Sequence, residues 1–302
     1  MLRAIMHVGV GVLNRMMARN DAKIEKQKTL PRGVVEFANI PYDETSGKFG
    51  LLDVYAPSSG RTDLPVIIDV HGGGFFYGNK ELNKRFCYAL VLRGFVVVSV
   101  NYRLVPKVTF DKQVCDVVKA MQWVERNARK YGGDPNRLSL SGDSAGACLA
   151  LMACAVTYSE KVRASFGAEK VLTRPRSLFF QSGMFDLRKK GTGLRLAKYA
   201  YGRGFMYKKA EWYKYTDLDA LLVGCKLPPV FLSSSEGDFI GAHTLEFAER
   251  LEKAGARYQL DYRKKEKRED GHEYFHVYLV KHPEWRECAV MLNDVAKFLT
   301  TV

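Results

Sequence analysis

The chain has 302 residues, 47% of them hydrophobic and 26% charged, which are ordinary globular proportions and exclude a disordered or low-complexity protein. Its formal net charge of +14, from 47 basic and 33 acidic residues, attracts anions. Only one basic run stands out, Arg263-Lys264-Lys265-Glu266-Lys267-Arg268, and no nucleic-acid-binding module accompanies it, so it reads as a solvated loop and nucleic acid is not an expected partner.

The start, Met1-Leu2-Arg3 followed by the apolar run from Ala4 to Leu13, imitates a signal peptide. The run contains His7, ends at Asn14-Arg15 and lacks a small-x-small cleavage site, so the pattern over 2–28 reads as an amphipathic helix ending at Leu30-Pro31. A helix ahead of the first strand has to lie on something, and a lid over a site is one place for it. No stretch approaches the roughly 18 apolar residues of a membrane-spanning helix, so stable membrane insertion is not expected. Six cysteines (Cys87, Cys115, Cys148, Cys154, Cys225, Cys288) show no C-x-x-C spacing, which speaks for reduced, buried thiols in a cytoplasmic protein.

Strands are predicted at Val34–Phe37 and Leu51–Tyr55, with the turn-rich residues 42–48 making a hairpin of them. Leu64–Val70 is a continuous apolar run, as a strand buried on both faces requires, and it ends in His71-Gly72-Gly73-Gly74-Phe75-Phe76. Three glycines at a strand end let main-chain N–H groups approach a ligand closely, which is what a tetrahedral oxyanion needs. His71 reads as a structural hydrogen-bonding residue rather than a base. A helix over Phe86–Arg93, a strand over Phe95–Val100 and a long amphipathic helix over Phe110–Lys130 follow.

Leu138–Ser141 then reads as a short buried strand running through Gly142-Asp143-Ser144-Ala145-Gly146 into an Ala-, Leu- and Met-rich helix to Tyr158. A residue held in a strained strand-to-helix turn needs side-chain-free neighbours, so this pentapeptide has the form of a nucleophile elbow with Ser144 as nucleophile. Ser177–Gln181 continues the sheet. From about Lys189 to Leu222 the strand signal lapses, and Tyr199, Tyr201, Phe205, Tyr207, Trp212, Tyr213 and Tyr215 are interleaved with Arg and Lys. This stretch reads either as an aromatic wall over the site or as ordinary helix packing. Pro228–Ser233 is the next strand, followed by a helix over Leu245–Ala254, a strand over Arg257–Tyr262 and a closing helix over Glu284–Leu299.

A serine hydroxyl becomes nucleophilic when an imidazole takes its proton, and that imidazole needs an acceptor on its other nitrogen. Asp238, just beyond a strand, is the candidate orienter, with a helix N-cap as the alternative. His276 is preferred as the base over His272, because its distance to the closing helix suits a base loop. His243 and His282 are expected at the surface. The order Ser144, Asp238, His276 is that of α/β-hydrolases.

From about Pro65 onward the chain resembles the bacterial hormone-sensitive-lipase family of α/β-hydrolase carboxylesterases. The resemblance rests on His71-Gly72-Gly73-Gly74, on Tyr102-Arg103-Leu104 with Pro106, on Tyr131-Gly132-Gly133-Asp134-Pro135-Asn136-Arg137 and on the Gly142–Gly146 elbow. It implies an α/β-hydrolase fold, with a mostly parallel central sheet flanked by helices, in one domain over 1–302. It also implies a helical cap from the N-terminus and an insertion after the sixth strand, in pieces at about 1–30 and 187–224. An oxyanion hole from Gly73, Gly74 and Ala145, and a small-molecule ester as substrate, follow from the same likeness; no cofactor or metal is called for. A homodimer, an arylamide or formamide hydrolase with the same residues, and a ligand-binding protein of the kind the plant gibberellin receptor represents all stay open. Two departures stand out: Asp238-Phe239-Ile240 replaces the family's usual Asp-Pro-Leu, and the loop before the base is longer.

Overall fold

The computed structural model of the protein describes residues 29–188, 208–265 and 271–301. The helix expected over 2–28, Tyr199, Tyr201, Phe205 and Tyr207, and the end of the basic run lie outside them.

β1 (Val34–Pro41) and β2 (Leu51–Pro57) form the expected antiparallel hairpin, joined through a 3-10 turn over Glu44–Gly50 in which the Asp43 carboxylate caps the Thr45 N–H. β3 (Leu64–Val70) leads by way of the glycine loop into α1 (Lys84–Val91), and β4 (Val96–Val100) leads into α2 (Phe110–Asn127). β5 (Gly133–Asp143) turns through Ser144 into α3 (Ala145–Tyr158), followed by the short α4 (Glu160–Phe166) and β6 (Ser177–Gln181). The second half adds α5 (Leu218–Gly224), β7 (Val230–Ser235), α6 (Gly241–Lys253), β8 (Tyr258–Arg263), α7 (Tyr278–Lys281) and α8 (Arg286–Thr301).

Among the described residues, eight strands make one sheet in the order β1-β2-β4-β3-β5-β6-β7-β8, antiparallel from β1 to β4 and parallel from there on. The Val- and Ile-rich β3 and β4 are buried along their whole length because both sheet faces are covered. Strand alternation divides their side chains. Val66, Ile68, Val96 and Val98 enter the core under α2 and α3, while Ile67 and Val97 enter the second core under α1 and α8. α3 lies sandwiched within the first core, and its residues from Ala145 to Thr157 are all buried. Every helix-forming position there is apolar or small, as a helix with no solvent face requires.

One open alternative is decided and one expectation needs correction. Trp212 and Tyr215 are core residues, with the Trp212 ring 5.6 Å from Phe110 and 5.8 Å from Phe166, so of the two readings ordinary packing holds for this part of the insertion. His243 is 1% exposed rather than at the surface, because α6 turns it inward, where its Nδ1 accepts the Asp186 N–H at 3.3 Å.

The loop after β3 is tied down by a buried lysine. Lys80 Nζ donates to both Asp53 carboxylate oxygens at 2.9 and 3.0 Å and also pairs with Glu81. The Lys80 main chain is held as well, its N–H by Asn101 Oδ1 and its carbonyl by Ser99 Oγ. Lys80→Met would leave Asp53, 1% exposed, as an unpaired buried charge. Urea unfolding of this variant is expected to show a loss of about 3–5 kcal/mol; a change within ~0.5 kcal/mol would refute the anchoring role.

Candidate active site

The parallel strands all end at one edge of the sheet, the place where open α/β folds gather functional loops. β5 delivers Ser144 there with φ 51° and ψ −119°, a left-handed conformation that costs a non-glycine residue on the order of 1–3 kcal/mol. The turn is clamped on both sides: the Ser144 N–H donates to Gln181 O and its carbonyl accepts the Met184 N–H, each at 3.0 Å. The flanking glycines are sterically required. A β-carbon on Gly146 would run into the carbonyls of Val70 and His71, and one on Gly142 into the main chain of Gly146 and Ala147.

The acid and base loops are brought together by main chain. Gly237 bridges to Phe275, so closely that a β-carbon would strike the Tyr274 carbonyl, and Ser235 Oγ donates to that carbonyl at 2.8 Å. This juxtaposition sets Asp238 Oδ1 2.8 Å from His276 Nδ1, and His276 Nε2 lies 3.1 Å from Ser144 Oγ. Asp238 also accepts from the Ile240 N–H and from Ser234 Oγ, both at 2.9 Å. Burial alone would push the Asp238 carboxyl up, but the His276 contact and the Ile240 and Ser182 hydrogen bonds outweigh it and hold the pKa below its usual value. An ionised Asp238 is acceptor-only, which puts the imidazole hydrogen on Nδ1 and leaves the Nε2 lone pair facing the serine.

Gly73 and Gly74, with φ of 107° and 59°, line a cavity of about 550 Å³ together with Ser144 and His276. Ala145 is the first residue of α3, where helix N–H groups have no intrahelical acceptor. His272 is exposed, with its ring 6.5 Å from Trp285, and does not line the cavity. His282, expected at the surface, is half-buried on the cavity wall and stacked on Trp285 at 4.1 Å. His71 is 1% exposed, stacked on Tyr102 at 4.4 Å, with Nδ1 donating to Gly72 O at 2.7 Å. Burial pulls its pKa down to about 4, so its ring is neutral at physiological pH.

The glycine loop is braced from outside itself, by Tyr102 and Arg103 of the Tyr-Arg-Leu motif, by Gln113, and by Asp143 of the elbow. Tyr102 Oη donates to His71 O and Gln113 Nε2 to Phe75 O, each at 2.8 Å. Arg103 is fixed on the buried Asp116 by several hydrogen bonds of 2.6–3.1 Å, which accounts for a Tyr-Arg pair at this point of the chain. The variable position of the elbow, Asp143, accepts the Gly72 N–H at 2.9 Å and Asn83 Nδ2 at 2.7 Å, and Asn83 donates in turn to Asp69 at 2.9 Å. Burial raises the Asp143 carboxyl. Asp69 is pushed up to about 7, first by burial and then by the charge of Asp143.

That shift has a signed consequence. An unfolded Asp ionises near ~3.9, so between about pH 4 and 7 the folded state holds more protons than the unfolded state, and stability falls as pH rises through the window. The contribution is bounded by about 4 kcal/mol at ~1.4 kcal/mol per unit. Urea unfolding of wild type and Asp69→Asn from pH 4.5 to 7.5 is expected to show a steeper decline for wild type; parallel curves would contradict the elevated pKa.

A family model described as BD-FAE matches residues 52–176. The carboxylesterase NlhH of Mycobacterium tuberculosis is 36% identical over 134 residues, covering 41% of this chain and 40% of that protein. Kynurenine formamidase of Salmo salar is 33% identical over 157 residues, covering 52% of this chain and 49% of its own. The chain thus matches less than half the length of either relative. Esterase B from Lactobacillus rhamnosis superposes with a TM-score of 0.91 at 22% identity over 99% of this chain and 95% of that one, a likeness of fold. The sheet, the strained elbow serine and the likeness to esterase B agree on an α/β-hydrolase fold, and part of the chain is similar in sequence to a carboxylesterase.

Proposed function

We propose that the protein is a serine hydrolase of carboxylic esters, acting through an acyl-enzyme on Ser144. The observation that carries this is the continuous hydrogen-bond relay Asp238–His276–Ser144, with links of 2.8 and 3.1 Å, opening on a cavity walled by Gly73 and Gly74. His276 Nε2 takes the Ser144 proton as Oγ bonds to the acyl carbon, and Asp238 stabilises the imidazolium that results. The N–H groups of Gly73, Gly74 and Ala145 hold the tetrahedral oxyanion; each such donor is typically worth about 10²–10³ in turnover. The intermediate collapses as His276 returns the proton to the departing alkoxide, leaving an acyl-serine and a free alcohol. Water then attacks with His276 again as base, releasing the acid and restoring the Ser144 hydroxyl.

The cap pieces expected at about 1–30 and 187–224 lie largely outside the described residues, and in the described part of the second, Trp212 and Tyr215 pack in the core. Six cysteines without C-x-x-C spacing, five of them buried, support residence in a reducing compartment such as the cytoplasm.

The similarity to kynurenine formamidase makes an aryl formamide the informative rival substrate. Purified protein is expected to release p-nitrophenol from its acetate and butyrate esters far faster than buffer, and to hydrolyse formanilide more slowly than either. Preference for the formamide would move the reaction to amide bonds, and no turnover of any of the three would contradict the reading.

A further inference from the structure

Phe239 is the most conspicuous exposed aromatic at the site. It directly follows the orienting Asp238, is 77% exposed, and lies with its ring centroid 4.5 Å from that of His276. It lines the same cavity as Ser144, as do Phe275 and His282. Phe275 is 38% exposed and packs edge-on against His282 at 5.6 Å and Trp285 at 6.1 Å, so the second aromatic is braced from behind. An apolar ring held in solvent beside a polar residue is unfavourable for folding, and a rim of such rings marks a place where a ligand completes the packing.

The chemistry decides which part of the ligand. In acyl transfer the oxygen that leaves must receive its proton from the imidazole, so the alcohol moiety stands on the His276 side of the acyl carbon, while the carbonyl oxygen faces Gly73 and Gly74. We infer that Phe239, with Phe275 beside it, forms an aryl-binding subsite for the leaving group, making the protein selective for esters of aromatic alcohols through the alcohol rather than the acyl half. This rests on the ester-hydrolase reading and adds the substrate class. A flat ring entering the cavity covers the Phe239 face in an offset or edge-on contact; a methyl or ethyl alcohol leaves that face wet.

The test compares kcat/KM for 1-naphthyl acetate and methyl acetate in wild type, Phe239→Ala and Phe239→Tyr. Since Phe239 is 77% exposed, its removal takes little from the folded core. The naphthyl-to-methyl ratio is expected to fall about tenfold in Phe239→Ala, equivalent to ~1.4 kcal/mol, mainly through KM for the naphthyl ester. Phe239→Tyr, which keeps the ring, is expected to hold the ratio within about twofold. Replacing 1-naphthyl acetate by 1-naphthyl butyrate is expected to give the same factor, because the acyl half is not in contact. An unchanged ratio overturns the inference, as does an equal loss on both esters, which would mean that Phe239 only steadies the imidazole. A wild-type protein inert on every ester would instead remove the hydrolase reading beneath it.

Discussion

Ser144→Ala is expected to lower kcat for p-nitrophenyl acetate by a factor on the order of 10⁵–10⁶, to a residue of catalysis from oxyanion donors and binding alone. The change deletes one oxygen. The elbow itself depends on the Ser144 main-chain bonds to Gln181 and Met184 and on the flanking glycines, none of which involves the hydroxyl. Melting by circular dichroism is therefore expected to stay close to that of wild type, which separates loss of chemistry from loss of fold. Turnover retained in a folded Ser144→Ala protein would place the nucleophile elsewhere.

Asp238→Asn carries the next largest expected effect, a fall in kcat of about 10⁴ with KM little changed. The carboxylate does two jobs. It accepts from His276 Nδ1 at 2.8 Å, and it is held in place by Ile240 N–H and Ser234 Oγ at 2.9 Å. Oδ1 accepts from both Ile240 N–H and His276 Nδ1, so an asparagine with its oxygen there keeps both contacts but, being neutral, no longer stabilises the imidazolium. One turned the other way sets its NH₂ against Nδ1 and forces the hydrogen onto Nε2. The imidazole then presents a donor where Ser144 needs an acceptor. Steady-state kinetics on a folded variant measure this; a loss smaller than about tenfold would show that the tautomer is fixed by something other than Asp238.

The elements that were legible in the sequence are those whose physics is local. β3 and β4 announce themselves by unbroken Val and Ile runs, and the elbow by two glycines that the fold cannot replace because neighbouring main chain occupies the space a β-carbon needs. Asp238 and His276 stand out as candidates by chain order and by the distance to the closing helix, although what joins them, Gly237 pressed on the 274–275 main chain, has no signature in the sequence. Where the sequence was mute, the information is non-local. Asn83 touches Asp143 across 60 residues and Asp69 across 14, so nothing in the pentapeptide identifies its second residue as the brace of the glycine loop. For Trp212 the sequence could not choose between a substrate-facing wall and ordinary packing because its neighbours in sequence are charged, and its ring packs against Phe110 and Phe166. His243 misled for the same reason: burial on α6 is set by the packing of Phe247, Ala248 and Leu251 on the same helix, and polarity of the residue alone does not reveal it. Short elements such as α4 escaped because seven residues give too few turns for a periodic pattern.

The relay's central claim is that one hydroxyl among all those in the chain is activated. Intact-mass spectrometry after treatment with a fluorophosphonate tests it without any choice of substrate, since the reagent phosphonylates a serine whose proton a neighbouring base removes. The expected result is a single added phosphonyl group, mapped to Ser144 by peptide sequencing and absent from both Ser144→Ala and His276→Ala. An unmodified mass, or a label that persists on another residue in those variants, would contradict it.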